Sequence, residues 1–340
     1  MKGKKILVTG GTGFVGSYIL RLLLQKGYTN VHSIKRKSGK LDLIANESKK
    51  ITFHTAEIND IPSLEDAIKD MDYVIHTAAV VSFRPKDRKI MMKVNVEGTE
   101  NVVNICLGNN IKKLIHVSSI ASLGRKKSGK IINENTDWEE SSNNSDYSVS
   151  KYLSEMEVWR GYAEGLDMAI LNPSMIMGAG FWDKGTNEII KKVNSGLRFY
   201  PTGTNGFVDV RDVAEMAVLL MEKDVSGERF ICSAENIKLE KLLSDIAIGL
   251  GKNPPGIKLS KTIMNFAAFF IDIISHIPGY NSNLSSQSIK NTFFDSLYDN
   301  TKSKEILEFK YRDISKTLTE TTGLFNKTYP EGKDFAILDF

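Results

Sequence analysis

Ten residues near the amino terminus, VTGGTGFVGS at positions 8–17, restrict the possible folds of this chain more than any other stretch. They place Gly10, Gly11, Gly13 and Gly16 directly after Ile6-Leu7-Val8, a short apolar run that resembles a strand buried on both faces. In the following FVGSYILRLLLQKGY, Val15, Ile19, Leu22 and Leu23 fall on one helical face and Gly27 marks the stop. A glycine cluster alone makes only a tight loop. Between a strand and a helix, however, glycines let a pyrophosphate approach the helix amino terminus, where free N–H groups and the helix dipole favour an anion.

The same alternation continues to about residue 172. NVHSI (30–34), ITFH (51–54), YVIHT (73–77), KLIHVSS (113–119) and DMAILN (167–172) read as further strands. Helical patterns lie between them at 63–71, with Ser63 as the expected cap, at 89–108 and at 147–165. Such alternation predicts an α/β fold, a Rossmann-type doubly wound parallel sheet with right-handed crossovers. The polar stretch 125–146 is expected to be a long loop at the rim of the ligand crevice. Beyond residue 173 the rhythm loosens. FVDVRDVAEMAVLLMEKD (207–224) and ERFICSA (228–234) read as one more helix and strand returning to the first domain. The expected organisation is a dinucleotide-type domain over 1–172 plus 207–234, and a smaller, mostly helical carboxy-terminal substrate lobe over 173–206 and 235–340.

Composition narrows the partners. A net charge of +4 over 340 residues is small, so nucleic acid is not expected, and clusters such as Lys35-Arg36-Lys37 and Arg125-Lys126-Lys127 are short. With 41% hydrophobic and 25% charged residues the chain has an ordinary globular balance. No apolar run reaches the roughly 18 residues of a membrane span. Cys106 and Cys232 sit in apolar segments and read as core residues of a reduced protein, so a cytoplasmic location without a signal peptide is expected. No metal site is read from the sequence.

Tyr147 and Lys151 lie four residues apart at the start of a predicted helix, so both face the same way. A phenol with an ordinary pKa near 10 is a poor base at neutral pH, and a neighbouring ammonium lowers that value. The phenol can then donate and accept a proton. Ser118 and Ser119 end an apolar strand, where a parallel sheet presents its functional groups, and either hydroxyl could bond a carbonyl oxygen while the tyrosine protonates it. Pairs and strand-end serines of this kind also occur by chance.

Together these residues resemble an extended short-chain dehydrogenase/reductase, of the NAD-dependent epimerase/dehydratase superfamily. The likeness covers roughly residues 4–325: the turn Thr9-Gly10-x-x-Gly13-x-x-Gly16, the strand Asp72–Ala79, Asn95-Val96-x-Gly98-Thr99, Tyr147-x-x-x-Lys151, LNPSMIMG (171–178) and FVDVRDVA (207–214). The resemblance implies that Tyr147 is the acid/base and that Lys151 lowers its pKa and holds the nicotinamide ribose. Ser119 fits the carbonyl-polarising serine better than Ser118, and Asn95 would support an active-site water and the backbone. Cofactor contacts are implied for Gly10, Thr12, Gly13, Phe14, Val15 and Gly16 of the turn, for Thr77, Ala78 and Ala79 after the fourth strand, and for Pro173 beside the carboxamide. Two positions depart from the family pattern. Where an aspartate usually contacts the adenine amine, Glu57-Ile58 stand. Where NAD-preferring members carry an aspartate for the ribose hydroxyls, Lys35 stands and Arg36 follows. Cations attract a 2′-phosphate, so NADP(H) is expected over NAD(H).

Within this superfamily the chain is nearest the dihydroflavonol reductase and 3β-hydroxysteroid dehydrogenase branch. Hydride transfer between nicotinamide and a carbonyl or alcohol of a small apolar substrate is therefore the favoured reading. The alternatives are a nucleotide-sugar epimerase or dehydratase with tightly bound NAD, and a non-catalytic NAD(P)-sensing regulator. Sugar-nucleotide members often carry an arginine just before the FVDV segment, where Asn205 and Gly206 stand here; regulators tend to lose the catalytic residues that this chain keeps. The stretch TIMNFAAFFIDIIS (262–275) is apolar nearly all round, with Asn265 and Asp272 as its strongly polar interior positions. It fits lobe core or a homodimer contact. A second reading puts Phe266, Phe269 and Phe270 in a pocket wall for an apolar carbonyl compound, or against a membrane surface.

Overall fold

The computed structural model describes residues 1–124, 130–141, 144–260 and 292–340, so the apolar stretch 262–275 and the Arg125-Lys126-Lys127 cluster lie outside the described residues. Its first half runs β1 (Lys5–Thr9), α1 (Phe14–Gln25), β2 (Asn30–Lys35), β3 (Thr52–Thr55), α2 (Ile61–Ile68), β4 (Tyr73–His76) and α3 (Arg88–Met91). A π-helical segment, Met92–Glu97, joins α3 to α4 (Gly98–Gly108). There follow β5 (Lys113–Val117), β6 (Ile131–Ile132), α5 (Asp146–Ala163), β7 (Met168–Pro173), β8 (Met175–Met177), α6 (Asn187–Asn194), β9 (Phe199–Tyr200) and β10 (Thr204–Asp209). After α7 (Val210–Glu222) come β11 (Glu228–Cys232), β12 (Glu235–Lys238) and α8 (Leu239–Gly249).

Seven strands form one parallel sheet in the order β3-β2-β1-β4-β5-β7-β11. Alternation along each strand feeds two cores. Ile6 and Val8 of β1, with Ile115 and Val117 of β5, pack on one face against Ile19 and Leu23 of α1 and Val213 and Ala217 of α7. Leu7, Val74 and Leu114 point to the other face, against Leu64 of α2, Val102 and Val103 of α4 and Val158 of α5. Both faces are covered, which is why these strands read as continuous apolar runs rather than as alternating ones. Strand order reverses between β1 and β4, and in such sheets the ligand crevice opens there, beyond the carboxyl ends of the strands.

Two details depart from the sequence reading. Ser63 does not cap α2: the helix begins at Ile61 with Asp60 at the cap position and a proline in its first turn, where the missing N–H costs nothing. The Ser63 hydroxyl instead donates to the Asp60 carbonyl at 3.1 Å. Phe207–Asp209 are strand rather than helix. They belong to β10, between β8 and β12 in a separate three-stranded sheet, and Asp209 starts α7 by accepting from the Arg211 N–H at 2.7 Å. The β11 strand adds to the large sheet beside β7.

Candidate active site

The glycine turn presents bare backbone. Gly13 occupies the cap position of α1 without a side-chain cap, and the first turn holds no acidic residue. The N–H of Gly13 donates to the Gly10 carbonyl at 2.9 Å and that of Ser17 to the Gly13 carbonyl at 3.0 Å. This leaves Phe14, Val15 and Gly16 with the free first-turn N–H groups of a helix start. Gly10 has a φ of +70°, and a Cβ there would lie 2.7 Å from the Thr77 hydroxyl oxygen and 2.8 Å from the Ala78 nitrogen. An uncapped helix start against a turn with no room for side chains fits a pyrophosphate.

Thr9 joins β1 to β4 at the reversal. Its hydroxyl oxygen accepts from the N–H groups of Thr77 (3.1 Å) and Ala78 (3.2 Å), so its own proton goes to His76 Nδ1 at 2.7 Å. The buried, neutral His76 must then donate from Nε2 to Thr99 at 3.1 Å, and the Thr99 hydroxyl donates to the Asn95 carbonyl at 2.6 Å. Burial and the charge of Lys151 hold the His76 pKa down at about 3. Asn95 lies in the π-helical segment, a distortion frequent at functional sites. Its side chain brackets one residue: Oδ1 accepts from the Val80 N–H at 2.8 Å and Nδ2 donates to the Val80 carbonyl at 3.0 Å and to Ser150 at 2.9 Å. These bonds fix the chain just after Ala78 and Ala79. At the sheet's other carboxyl ends lie half-buried Lys35 closing β2 and exposed Arg36 after it, exposed Glu57 and buried Ile58 after β3, and buried Pro173 closing β7. Among the described residues neither Lys35 nor Arg36 takes part in an ion pair.

Ser119, Tyr147 and Lys151 meet beside β5. Ser145 caps α5, accepting from the Ser148 N–H at 3.1 Å, and so sets the helix start that points Tyr147 into the crevice. The Ser119 hydroxyl acts on the Tyr147 phenol, drawing its pKa down against burial. Ser118 turns away, its hydroxyl donating to Ser122 at 3.4 Å. Lys151, 2% exposed, donates from Nζ to the Val117 carbonyl at 3.1 Å. Burial lowers its pKa to about 8, against an upward pull from Glu155. Tyr147 differs from the sequence expectation: burial raises its pKa above that of an ordinary phenol, and the opposing influence comes from Ser119 rather than Lys151. With its ammonium turned to the Val117 carbonyl, Lys151 does not set the phenol's proton affinity in this arrangement. A raised pKa keeps Tyr147 in its proton-donor form.

Three residues here escape sequence reasoning. Phe83 lies edge-on to the Tyr147 ring, with centroids 5.8 Å apart, and is 40% exposed. Its segment is tied down by Asp87, which accepts from Ser82 at 2.6 Å and Arg84 at 2.7 Å, and by the Arg88–Asp146 ion pair at 2.5 Å. Glu155 and Asn172 are wholly buried behind Lys151. The signals were faint but present: Glu155 continues the four-residue spacing of Tyr147 and Lys151, and Asn172 is a polar residue at the end of an apolar strand.

The NAD dependent epimerase/dehydratase family model matches residues 6–232, from β1 through β11. The chain belongs to this family. It is 29% identical over 270 residues to sterol demethylase protein B of Methylococcus capsulatus, covering 78% of this chain and 80% of that protein. It is 28% identical over 327 residues to a putative dihydroflavonol 4-reductase of Synechocystis, covering 94% and 93%. The crystal structure of gox2253 superposes with a TM-score of 0.83 at 28% identity, covering 96% of this chain and 99% of that one. This family member is an NAD(P)-dependent oxidoreductase with a seven-stranded Rossmann-type sheet. Among its described residues no helix is long and apolar enough to cross a membrane.

Proposed function

We propose that the protein is a carbonyl reductase that uses NADP(H) on small apolar aldehydes or ketones. The observation that carries this reading is the Ser119–Tyr147 pair: a phenol kept protonated by burial, with the Ser119 hydroxyl acting on it and an exposed phenylalanine edge-on to its ring. Bound nicotinamide supplies the hydride to the carbonyl carbon. Ser119 holds the carbonyl oxygen and Tyr147 donates a proton to it as negative charge develops, general acid help worth about 100- to 10,000-fold. Lys151 binds the cofactor ribose as a buried cation. Gly10 through Gly16 would receive the pyrophosphate, Pro173 would lie by the carboxamide, Glu57-Ile58 would meet the adenine, and Thr77–Ala79 would contact the cofactor between them.

The apolar substrate class rests on the strand-to-helix segment after Ala79. Val81, Phe83 and Ile90 are all exposed, and the nearby cations Arg84 and Arg88 are already paired with Asp87 and Asp146. At the FVDV segment Asn205 points its amide at the Met175 sulphur, 3.4 Å away, and Asn205 and Gly206, not an arginine, precede the segment. Screening NADPH oxidation against apolar aldehydes, ketones and nucleotide sugars tests the reading. Turnover is expected to rise with substrate hydrophobicity. Phe83→Asp should raise KM about tenfold without changing kcat, since a fully buried aromatic contact contributes about 1.5–3 kcal/mol and this one is partial. Turnover of a nucleotide sugar in place of these substrates would transfer the protein to the epimerase class.

Cofactor preference rests on the free cations after β2. A charge-assisted hydrogen bond contributes about 1.5–3 kcal/mol, so Arg36→Ala should weaken NADPH about 10- to 100-fold and leave NADH nearly unchanged. Fluorescence titration of both cofactors into both proteins measures this. Equal affinities for NADPH and NADH in the unaltered protein would remove the preference.

A further inference from the structure

Behind the catalytic helix lies a carboxylate that the chemistry above does not use. Glu155 is 0% exposed, one helical turn beyond Lys151 and on the same side of α5. Its Oε1 accepts from the Ser122 hydroxyl and from Asn172 Nδ2 at 2.5 Å. Asn172 Nδ2 also donates to the Ser119 carbonyl at 3.1 Å, and the Ser122 hydroxyl, whose one proton is shared between that carbonyl and Glu155, lies 2.7 Å from it, so the turn that carries Ser119 is fastened to the helix that carries Tyr147 and Lys151 through this one carboxylate. Its other oxygen, Oε2, has no hydrogen bond among the described residues and faces Arg229 of β11 at 3.6 Å. A buried carboxylate is costly unless its charge is used, because removal from water penalises the ion by several kcal/mol.

We propose that Glu155 is a positioning residue, fixing the Ser119 turn against α5 and supplying the counter-charge that keeps the buried Lys151 ammonium in place for the cofactor. The proposal rests on the role given to Lys151 above. The groups facing Lys151 are few: His76 of β4 and His116 of β5, both held neutral by burial, with Tyr147 and Glu155 on its own helix. Among the described residues Glu155 is the one acidic group that acts on Lys151. Arg229 is the cation on the far side of the carboxylate and partly offsets it. Glu155 therefore acts on Lys151 through its charge, which a purely structural Glu155–Arg229 pair would not do.

The test follows NADPH affinity by fluorescence titration from about pH 6 to about pH 10, a range that spans loss of the Lys151 proton. In the unaltered protein affinity should begin to fall near pH 8, where Lys151 loses its charge. Glu155→Gln keeps the shape and removes the charge, and should move that break to lower pH by about one unit or more, which corresponds to about a tenfold change in the ammonium's proton affinity. Arg229→Met should move the break to higher pH. Ser122→Ala keeps the charge but loosens the turn, so it should leave the break in place and lower kcat on the best carbonyl substrate. A Glu155→Gln protein with an unmoved break overturns the charge role. If that variant fails to fold, an Arg229→Met break that stays or moves down does so instead. Unchanged kcat in Ser122→Ala overturns the turn role. Lys151→Met separates this from the functional reading: if it binds and turns over as the unaltered protein does, the role of Lys151 itself fails.

Discussion

Tyr147→Phe is expected to lower kcat about 100- to 10,000-fold, the range of a lost general acid, while NADPH affinity stays within about twofold. The substitution removes one hydroxyl and keeps the ring, so the edge-on contact with Phe83 and the packing of the α5 amino terminus survive. Ser119 keeps the Ala121 N–H, which donates to its side-chain oxygen at 3.1 Å. The carbonyl would then be held but not protonated. Steady-state rates on the best substrate, with cofactor titration alongside, measure both quantities. Near-normal turnover would show that the proton comes from elsewhere and would remove Tyr147 from the mechanism.

How much of this site is legible in the sequence depends on whether its residues are set by local rules. The strand–turn–helix of residues 5–25 is: apolar run, glycines and amphipathic helix each follow from near neighbours, and they meet the phosphate-binding logic without tertiary information. Tyr147 and Lys151 are legible for the same reason, since four-residue spacing on a helix fixes their common direction. What lies beyond that reach needs the fold. Phe83 reads as an isolated loop aromatic until the Asp87 hydrogen bonds and the Arg88–Asp146 pair set its segment against Tyr147. Glu155 reads as one more helix-surface glutamate until β7 and β11 bring Asn172 and Arg229 to it. The Lys151 ammonium was expected beside the phenol, because helical spacing gives direction but not where a long flexible side chain ends. A strand-end carbonyl at Val117 captures it instead.

The cap of α2 shows the same limit on a small scale. A serine one residue after a proline looks like a cap, yet proline is better placed inside the first turn than before it, and that moves the start to Ile61. At β10 the apolar residues of FVDV suit a helix face and a strand equally. Pairing of Phe207–Asp209 with Met175–Met177 decides it, a contact no local window contains.

Gly16→Ala should be among the most damaging single-methyl changes in the nucleotide turn. A Cβ at Gly16 would stand 2.3 Å from the Gly10 carbonyl oxygen, 2.7 Å from its carbon and 2.8 Å from Gly11 Cα. All three are backbone atoms, so no side chain can swing aside, and β1 or α1 must move. Overpacking of this kind costs about 1–3 kcal/mol. If the turn relieves it by leaving the geometry that presents the Phe14–Gly16 N–H groups, the binding-competent fraction falls by the same free energy, and NADPH affinity drops about 5- to 150-fold. The neighbours grade the effect. At Gly13 the nearest atom is the Gly10 oxygen at 3.2 Å, so Gly13→Ala should be milder. At Gly11 the close atoms, at 2.3 and 2.5 Å, belong to the Ser33 and Leu20 side chains, which can adjust in part and place Gly11→Ala between the two. Gly3, with nothing within 4 Å, is the control and should change neither stability nor affinity. Thermal unfolding and cofactor titration on the four variants give the order directly. A Gly16→Ala protein that binds as tightly as Gly3→Ala would show that the turn does not hold the pyrophosphate as assigned.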